Sequence, residues 1–175
     1  MKPTLKKLTV SALFIALLVL FQFSTSMMGQ FVTGSLVNLT LIASVLIGGL
    51  SVGVVVAVLS PLFAFFLGIG PKFLQLIPII MLGNTVLVLL YGVLVKQPSQ
   101  MKSWFAAIPI ATIVKFAVLY LGIVKLALPM IPALSETQKI AMGASFSWPQ
   151  LVTAAIGGVL SFLIVPPVQR AVQKK

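Results

Sequence analysis

The most constraining feature of this chain is a long run without any charged residue, from residue 8 to residue 71. Further long apolar segments follow it, and the mean hydropathy of the chain is +1.21. A helix that spans a membrane needs about 20 mainly apolar residues. The sequence therefore predicts an integral membrane protein built from several consecutive spans.

Clusters of Gly, Pro and Lys divide the chain into six apolar blocks. Each block is continuously apolar rather than alternating, and open sheet edges find no hydrogen-bond partner in hydrocarbon, so helices are favoured over strands. We predict an all-α bundle of six transmembrane helices in a single membrane-embedded domain, residues 1–175, without a convincing internal repeat. The predicted helices cover residues 8–23, 31–47, 52–67, 73–95, 104–127 and 148–165, and residues 128–147 form the longest predicted loop.

The charge of the chain indicates its orientation. The net charge is +11, but most cations flank apolar blocks, where they orient spans and meet anionic lipid, so no nucleic-acid partner is expected. Eight cations are predicted on one side, and three on the other. The larger group consists of Lys2, Lys6, Lys7, Lys96, Lys102, Arg170, Lys174 and Lys175, and the smaller of Lys72, Lys125 and Lys139. This bias predicts cytoplasmic termini in a multi-pass protein of the bacterial cytoplasmic membrane.

The residue types that are missing exclude several functions. The chain has no His, no Cys and a single acid, Glu136, so we expect no catalytic residues, no metal site and no cofactor. A proton- or sodium-coupled carrier usually needs a membrane-embedded acid or His, and an autonomous pump needs a G-x-x-x-x-G-K-[ST] phosphate loop. Neither is present, so the energy for any transport is expected to come from a separate protein.

Lys115 is the most informative single residue, because it lies near the middle of the fifth block. An ionised side chain at that depth costs several kcal/mol unless it is paired or hydrated. Asn84 lies at a similar depth in the fourth block, so the two side chains are predicted to share a substrate site. The alternatives are that Lys115 snorkels to the interface or bonds the backbone carbonyl of a kinked helix, and that Asn84 only joins two helices.

Other polar residues are weaker candidates for substrate binding. Asn38, Gln75 and Gln150 are predicted to line a cavity, although each residue type also caps helices or lies in the interfacial belt. Trp148 precedes Pro149 at a predicted helix start, and it is either a ligand contact or a membrane anchor. Ala12 and Ala16 form a small-x-x-x-small pair, a spacing that lets another helix approach closely.

Two sequence runs and the number of predicted helices carry a resemblance to a known family. The opening run Lys6–Ala16, six short helices, and the run Gln75–Pro78 followed by Gly83-Asn84 resemble the substrate-binding S-components of energy-coupling factor (ECF) transporters. The resemblance implies a high-affinity membrane receptor for a water-soluble vitamin or related micronutrient. It also implies partners, a transmembrane coupling subunit and two ATP-binding-cassette ATPases, with Ala12 and Ala16 as the docking residues.

The expected substrate follows from the embedded cation. A cavity with one lysine and no acid suits an anionic or polar molecule, and it disfavours cations such as thiamine. Among substrates of the resembling family, a pantothenate-like anion is favoured, and pyridoxine or a hydroxymethyl-pyrimidine comes next. The alternatives are a passive channel, a membrane assembly subunit without a small-molecule ligand and, least favoured, an intramembrane enzyme.

Overall fold

The structure, a computed structural model, describes residues 3–71 and 73–173. Within these ranges the chain is helical throughout its regular structure, without a β-strand. The predicted all-α class is therefore confirmed. Five helical segments are long and apolar enough to cross a membrane, and Leu50–Phe66 is a sixth, shorter apolar helix.

The described part of the chain forms eight α-helices, of which α6 is a single turn. Two 3₁₀ segments, Ser26–Met28 and Leu74–Leu76, lie in the connections, and a π-helical segment, Tyr120–Ala127, joins α5 to α6. The α-helices are α1 (Pro3–Thr25), α2 (Gln30–Gly48), α3 (Leu50–Phe66), α4 (Ile77–Leu94), α5 (Met101–Leu119), α6 (Leu128–Met130), α7 (Glu136–Ser145) and α8 (Trp148–Gln173).

The first and last helices extend beyond their predicted ends. Helix α1 begins at Pro3 rather than near Leu8, and α8 continues from Val165 through two prolines to Gln173. The difference has a physical reason: apolar blocks mark the thickness of the hydrocarbon, whereas a helix continues into the polar interface for as long as its backbone hydrogen bonds are kept.

The prediction of a loop over residues 128–147 is wrong for most of that segment, because it contains α7. A capping box begins this helix: the Gln138 backbone N–H donates to Ser135 Oγ (3.3 Å), and the Ser135 N–H donates to Gln138 Oε1 (3.0 Å). The helix is too short and polar to be recognised as a span. The sequence pattern that marks the start of this helix is S-x-x-Q, because the two side chains at this spacing accept hydrogen bonds from free N–H groups of the first turn.

Helix α2 lies at the centre of the bundle and contacts α1, α3, α4 and α8. Its closest neighbour is α8, where Gly157 leaves no room for a side chain. A Cβ atom at residue 157 would lie 2.5 Å from Asn38 Cβ and 3.0 Å from two backbone atoms of α2. The absence of a side chain at Gly157 thus fixes the position of Asn38 relative to α8.

The alternating direction of the helices separates two ends of the bundle. The start of α1, the α2–α3 turn, the α4–α5 connection and the end of α8 lie at one end. The connections α1–α2, α3–α4 and α5–α8 lie at the other end, which we call the loop end. Of the cations used to predict orientation, Lys2, Lys72, Lys174 and Lys175 lie outside the described residues. The direction of the bundle across the membrane stays a prediction.

We expect Gly157→Ala to lower the thermal stability of the purified protein by about 1 to 3 kcal/mol, because the added Cβ meets backbone atoms that cannot move aside. Thermal unfolding in detergent measures the effect. The matched control is Gly143→Ala, where the nearest atoms lie at 3.6 and 3.9 Å. Equal unfolding temperatures for the two variants would contradict the close crossing of α2 and α8.

Candidate functional site: a cavity around Lys115

A cavity of about 470 Å³ opens at the loop end of the bundle. Its walls come from α1 to α5 and α8, and its outer part is covered by α7 and by the connection between α3 and α4. Apolar atoms form most of the lining area, and polar side chains come from several helices. The polar side chains in the lining belong to Gln22, Ser26, Gln30, Thr33, Asn38, Ser60, Asn84, Lys115, Ser145 and Gln150.

The ammonium group of Lys115 lies at the inner end of this cavity. Its Nζ donates to Asn38 Oδ1 at 2.6 Å and to Asn84 Oδ1 at 2.8 Å, and the residue is only 3% exposed. The predicted proximity of Lys115 and Asn84 is therefore found. Snorkelling, one alternative for Lys115, does not occur in this structure, because Nζ is bonded inside the bundle.

The two asparagine amides are held in position by hydroxyl groups on further helices. Asn84 Nδ2 donates to Ser60 Oγ on α3 at 3.3 Å, and Asn38 Nδ2 donates to Thr153 Oγ1 on α8 at 3.4 Å. Both amides thus turn their oxygens towards Lys115. Five helices contribute to this network, which fixes the ammonium group without a carboxylate.

The positive charge of Lys115 has only neutral partners among the described residues. The single acid of the chain, Glu136, lies on α7, where its carboxylate accepts from Lys139 Nζ at 2.9 Å and is largely exposed. An ammonium group has three N–H donors, of which the asparagines use two. The third donor has no hydrogen-bond partner among the described residues.

Two glutamines hold α7 over the outer part of the cavity. Gln30 Nε2 and Gln150 Nε2 both donate to the backbone carbonyl of Ser145, at 2.5 and 3.1 Å. Ala141, Met142 and Phe146 then form an apolar cover above the polar centre. The cavity is thus closed in part by an element that the sequence analysis took for a loop.

The structure brings four of the six predicted substrate-binding residues to one cavity: Lys115, Asn84, Asn38 and Gln150. It does not bring Gln75 there, since this side chain is exposed on the Leu74–Leu76 segment. Trp148 is also outside the lining. It is 60% exposed and packs against the ring of Phe31, with 5.5 Å between centroids, a position that fits its alternative role as an interfacial anchor.

Sequence reasoning missed several lining residues. Ser60 and Thr33 gave no signal, because hydroxyl groups in spans commonly bond to their own helix. Gln22 did give one, as an isolated amide inside an apolar block, but it was not selected. Ala141, Met142 and Phe146, which cover the cavity, were not predicted because helix α7 was not predicted.

Together the fold and the cavity define a class: an all-α, multi-pass membrane protein with a partly covered, polar-centred cavity at one end of its bundle. A family model described as "ECF transporter, substrate-specific component" matches residues 6–169, and the chain belongs to this family. It is thus a cell-membrane transporter subunit for micronutrient uptake that binds a small-molecule substrate and associates with an ECF module. Searches of curated proteins and of solved structures returned no match.

A mutant cycle tests whether the asparagines serve the charge of Lys115. We expect Asn38→Leu to destabilise the wild-type protein by about 1.5 to 3 kcal/mol, because a buried cation loses one of two acceptors. The same change should cost less than about 1 kcal/mol in a Lys115→Met background, where no charge needs an acceptor. Chemical unfolding in detergent measures both values. Equal costs in the two backgrounds would show that Asn38 only packs helices.

Proposed function

We propose that this protein is a high-affinity receptor for a small anionic vitamin of the pantothenate type, bound at Lys115. The observation that carries the proposal is a buried ammonium group whose hydrogen-bond partners among the described residues are neutral amide oxygens. In a medium of low dielectric constant, an unbalanced positive charge attracts an anion strongly and repels a cation. A carboxylate on the substrate would supply both the missing charge and an acceptor for the third N–H.

The size of the cavity supports the same class of ligand. Its volume of about 470 Å³ lies in the lower half of the range for small-molecule sites, about 300 to 1,000 Å³. This volume favours a molecule such as pantothenate or pyridoxine over one as large as cobalamin. Pyridoxine or a hydroxymethyl-pyrimidine is the second candidate, because the amides of the lining suit neutral hydroxyl groups as well.

The position of the cavity supports uptake rather than export. If the Lys and Arg bias sets the orientation, both termini lie in the cytoplasm and the loop end faces outward. The cavity then opens towards the medium, where a scarce nutrient is collected. The energy for its release inside would come from the proposed partners, a transmembrane coupling subunit and two ATP-binding-cassette ATPases.

Lys115→Met should weaken the binding of pantothenate by about 10- to 100-fold, because it removes a charge-assisted hydrogen bond of about 1.5 to 3 kcal/mol. Titration calorimetry on the purified protein measures the affinity. The matched control is Lys125→Met, since Lys125 is exposed on the π-helical segment and lies outside the cavity lining. Wild-type affinity in a folded Lys115→Met protein contradicts the proposal, and so does binding of pyridoxine but not of pantothenate.

Helix α1 supports the proposed contact with the coupling subunit. Only 22% of the apolar part of this first span is buried inside the bundle, against 33% to 56% in the other four candidate spans. Ala12 and Ala16 are both exposed, one turn apart on this helix. Two small exposed residues at this spacing let another helix approach closely. We therefore assign the docking of the coupling subunit to this strip.

Replacing Ala12 and Ala16 with Trp should prevent co-purification with the coupling subunit and ATPases, because the added bulk keeps the helices apart. Pantothenate affinity should stay within about twofold of wild type, since neither residue lines the cavity. Ala106→Trp is the control for bulk on an exposed face of another helix. Normal recovery of the complex with the double variant would contradict the assigned docking strip.

A further inference from the structure

We propose that Gln22 determines substrate specificity by binding a hydroxyl or amide group of the substrate, at a distance from the anionic group at Lys115. This inference rests on the proposed function, since both residues line the same cavity. It adds a second recognition point on α1, the helix to which partner docking is also assigned. The substrate class then becomes a carboxylate that also carries a neutral hydroxyl or amide group.

The evidence begins with an unsatisfied polar atom. Gln22 is 9% exposed, and its Oε1 is buried without a hydrogen-bond partner in the described part of the protein. Nearly all buried side-chain oxygens in folded proteins are bonded, because an unpaired one has lost its hydration without a replacement partner. An unpaired amide at the wall of a cavity is explained if its partner arrives with the ligand.

The other four amides of the cavity differ from Gln22. Asn38 and Asn84 accept from Lys115, and Gln30 and Gln150 donate to the Ser145 carbonyl. Each of these four side chains is therefore hydrogen-bonded within the protein. Oε1 of Gln22 has no hydrogen-bond partner among the described residues, and Gln22 is the residue that α1 contributes to the lining. Gln22 is thus the amide left free for a ligand.

The chemistry of a carboxamide narrows the group that it binds. Rotation of the amide by half a turn exchanges an acceptor for a donor, so a primary amide recognises groups that can both donate and accept. Hydroxyl and amide groups have this property, whereas a carboxylate only accepts. A second carboxylate at Gln22 would also lack a cation there, so the anionic group belongs at Lys115 and the neutral group at Gln22.

Helix geometry gives the difference in depth between the two recognition points, Gln22 and the Lys115 ammonium. Asn38, which holds the Lys115 ammonium, lies eight residues from the start of α2, and Gln22 lies three residues from the end of α1. Thr33 Oγ1, three residues into α2, donates to the Thr25 carbonyl at the end of α1 at 2.7 Å, so residues 25 and 33 lie at a similar depth. At 1.5 Å per residue, Asn38 lies about 7.5 Å and Gln22 about 4.5 Å further into the bundle, so the two recognition points differ in depth by only about 3 Å.

The test compares two ligands on two proteins. The ligands are pantothenate and its dideoxy analogue, N-(3,3-dimethylbutanoyl)-β-alanine, which keeps the carboxylate and the amide but lacks both hydroxyl groups. If a hydroxyl is the group bound, Gln22→Met should weaken pantothenate about tenfold and the analogue less than twofold. If the amide is the group bound, both ligands should weaken about tenfold. Titration calorimetry measures all four affinities.

Two further measurements separate recognition from folding. Gln22→Met should unfold no earlier than wild type without ligand, because it removes an unpaired buried oxygen. Ser24→Ala is the matched control, since Ser24 lies on α1, is exposed and is absent from the lining. Unchanged pantothenate affinity in Gln22→Met overturns the inference. Weaker binding together with a lower unfolding temperature in both Gln22→Met and Gln22→Leu also overturns it, because Gln22 is then structural.

The proposed function and this inference fail in different ways. If Lys115→Met binds pantothenate normally while Gln22→Met does not, the anionic site is wrong and Gln22 keeps its role. If the wild type binds pyridoxine instead of pantothenate, the anion is again excluded, and Gln22→Met must then weaken pyridoxine about tenfold. Unchanged pyridoxine affinity, or binding of neither compound, overturns the inference.

Discussion

One interaction organises this protein: a lysine ammonium in the middle of an apolar bundle, held by two carboxamide oxygens. Lys115 bonds Asn38 on α2 and Asn84 on α4, and hydroxyl groups on α3 and α8 orient the two amides. A cation at this depth is tolerated only where such dipoles meet it. The close contact at Gly157 positions Asn38 for this interaction, and Lys115 with the two asparagines forms the polar centre of the cavity.

The bundle separates the substrate site from the surface assigned to partner contact. Helix α2 is the most buried of the candidate spans and carries Asn38, which accepts a hydrogen bond from Lys115. Helix α1 is the least buried and exposes Ala12 and Ala16. Gln22 lies on the same helix α1 but lines the cavity. Helix α1 thus exposes two small residues on its outer face and contributes one glutamine to the cavity lining.

Several features were predictable because they follow from chain length, hydropathy or depth. Counting residues from block ends placed Lys115 and Asn84 at one level, and the structure brings them to 2.8 Å. Gln75 and Trp148 were selected only for residue type and position, and neither lines the cavity. Helix α7 was missed because hydropathy does not detect a short amphipathic helix, although its capping box is visible in the sequence.

The sequence by itself determined the membrane environment, the helical class, the approximate spans and the resemblance to ECF transporter substrate-specific components, which the family match confirmed. Only the tertiary structure decided which polar residues meet. In lipid, apolar side chains suit both the bundle interior and the outer surface, so hydrophobic periodicity does not fix the rotation of each helix about its axis. Packing fixes that rotation, and it turns Asn38, Asn84 and Gln22 into the cavity while Ala12 and Ala16 stay exposed.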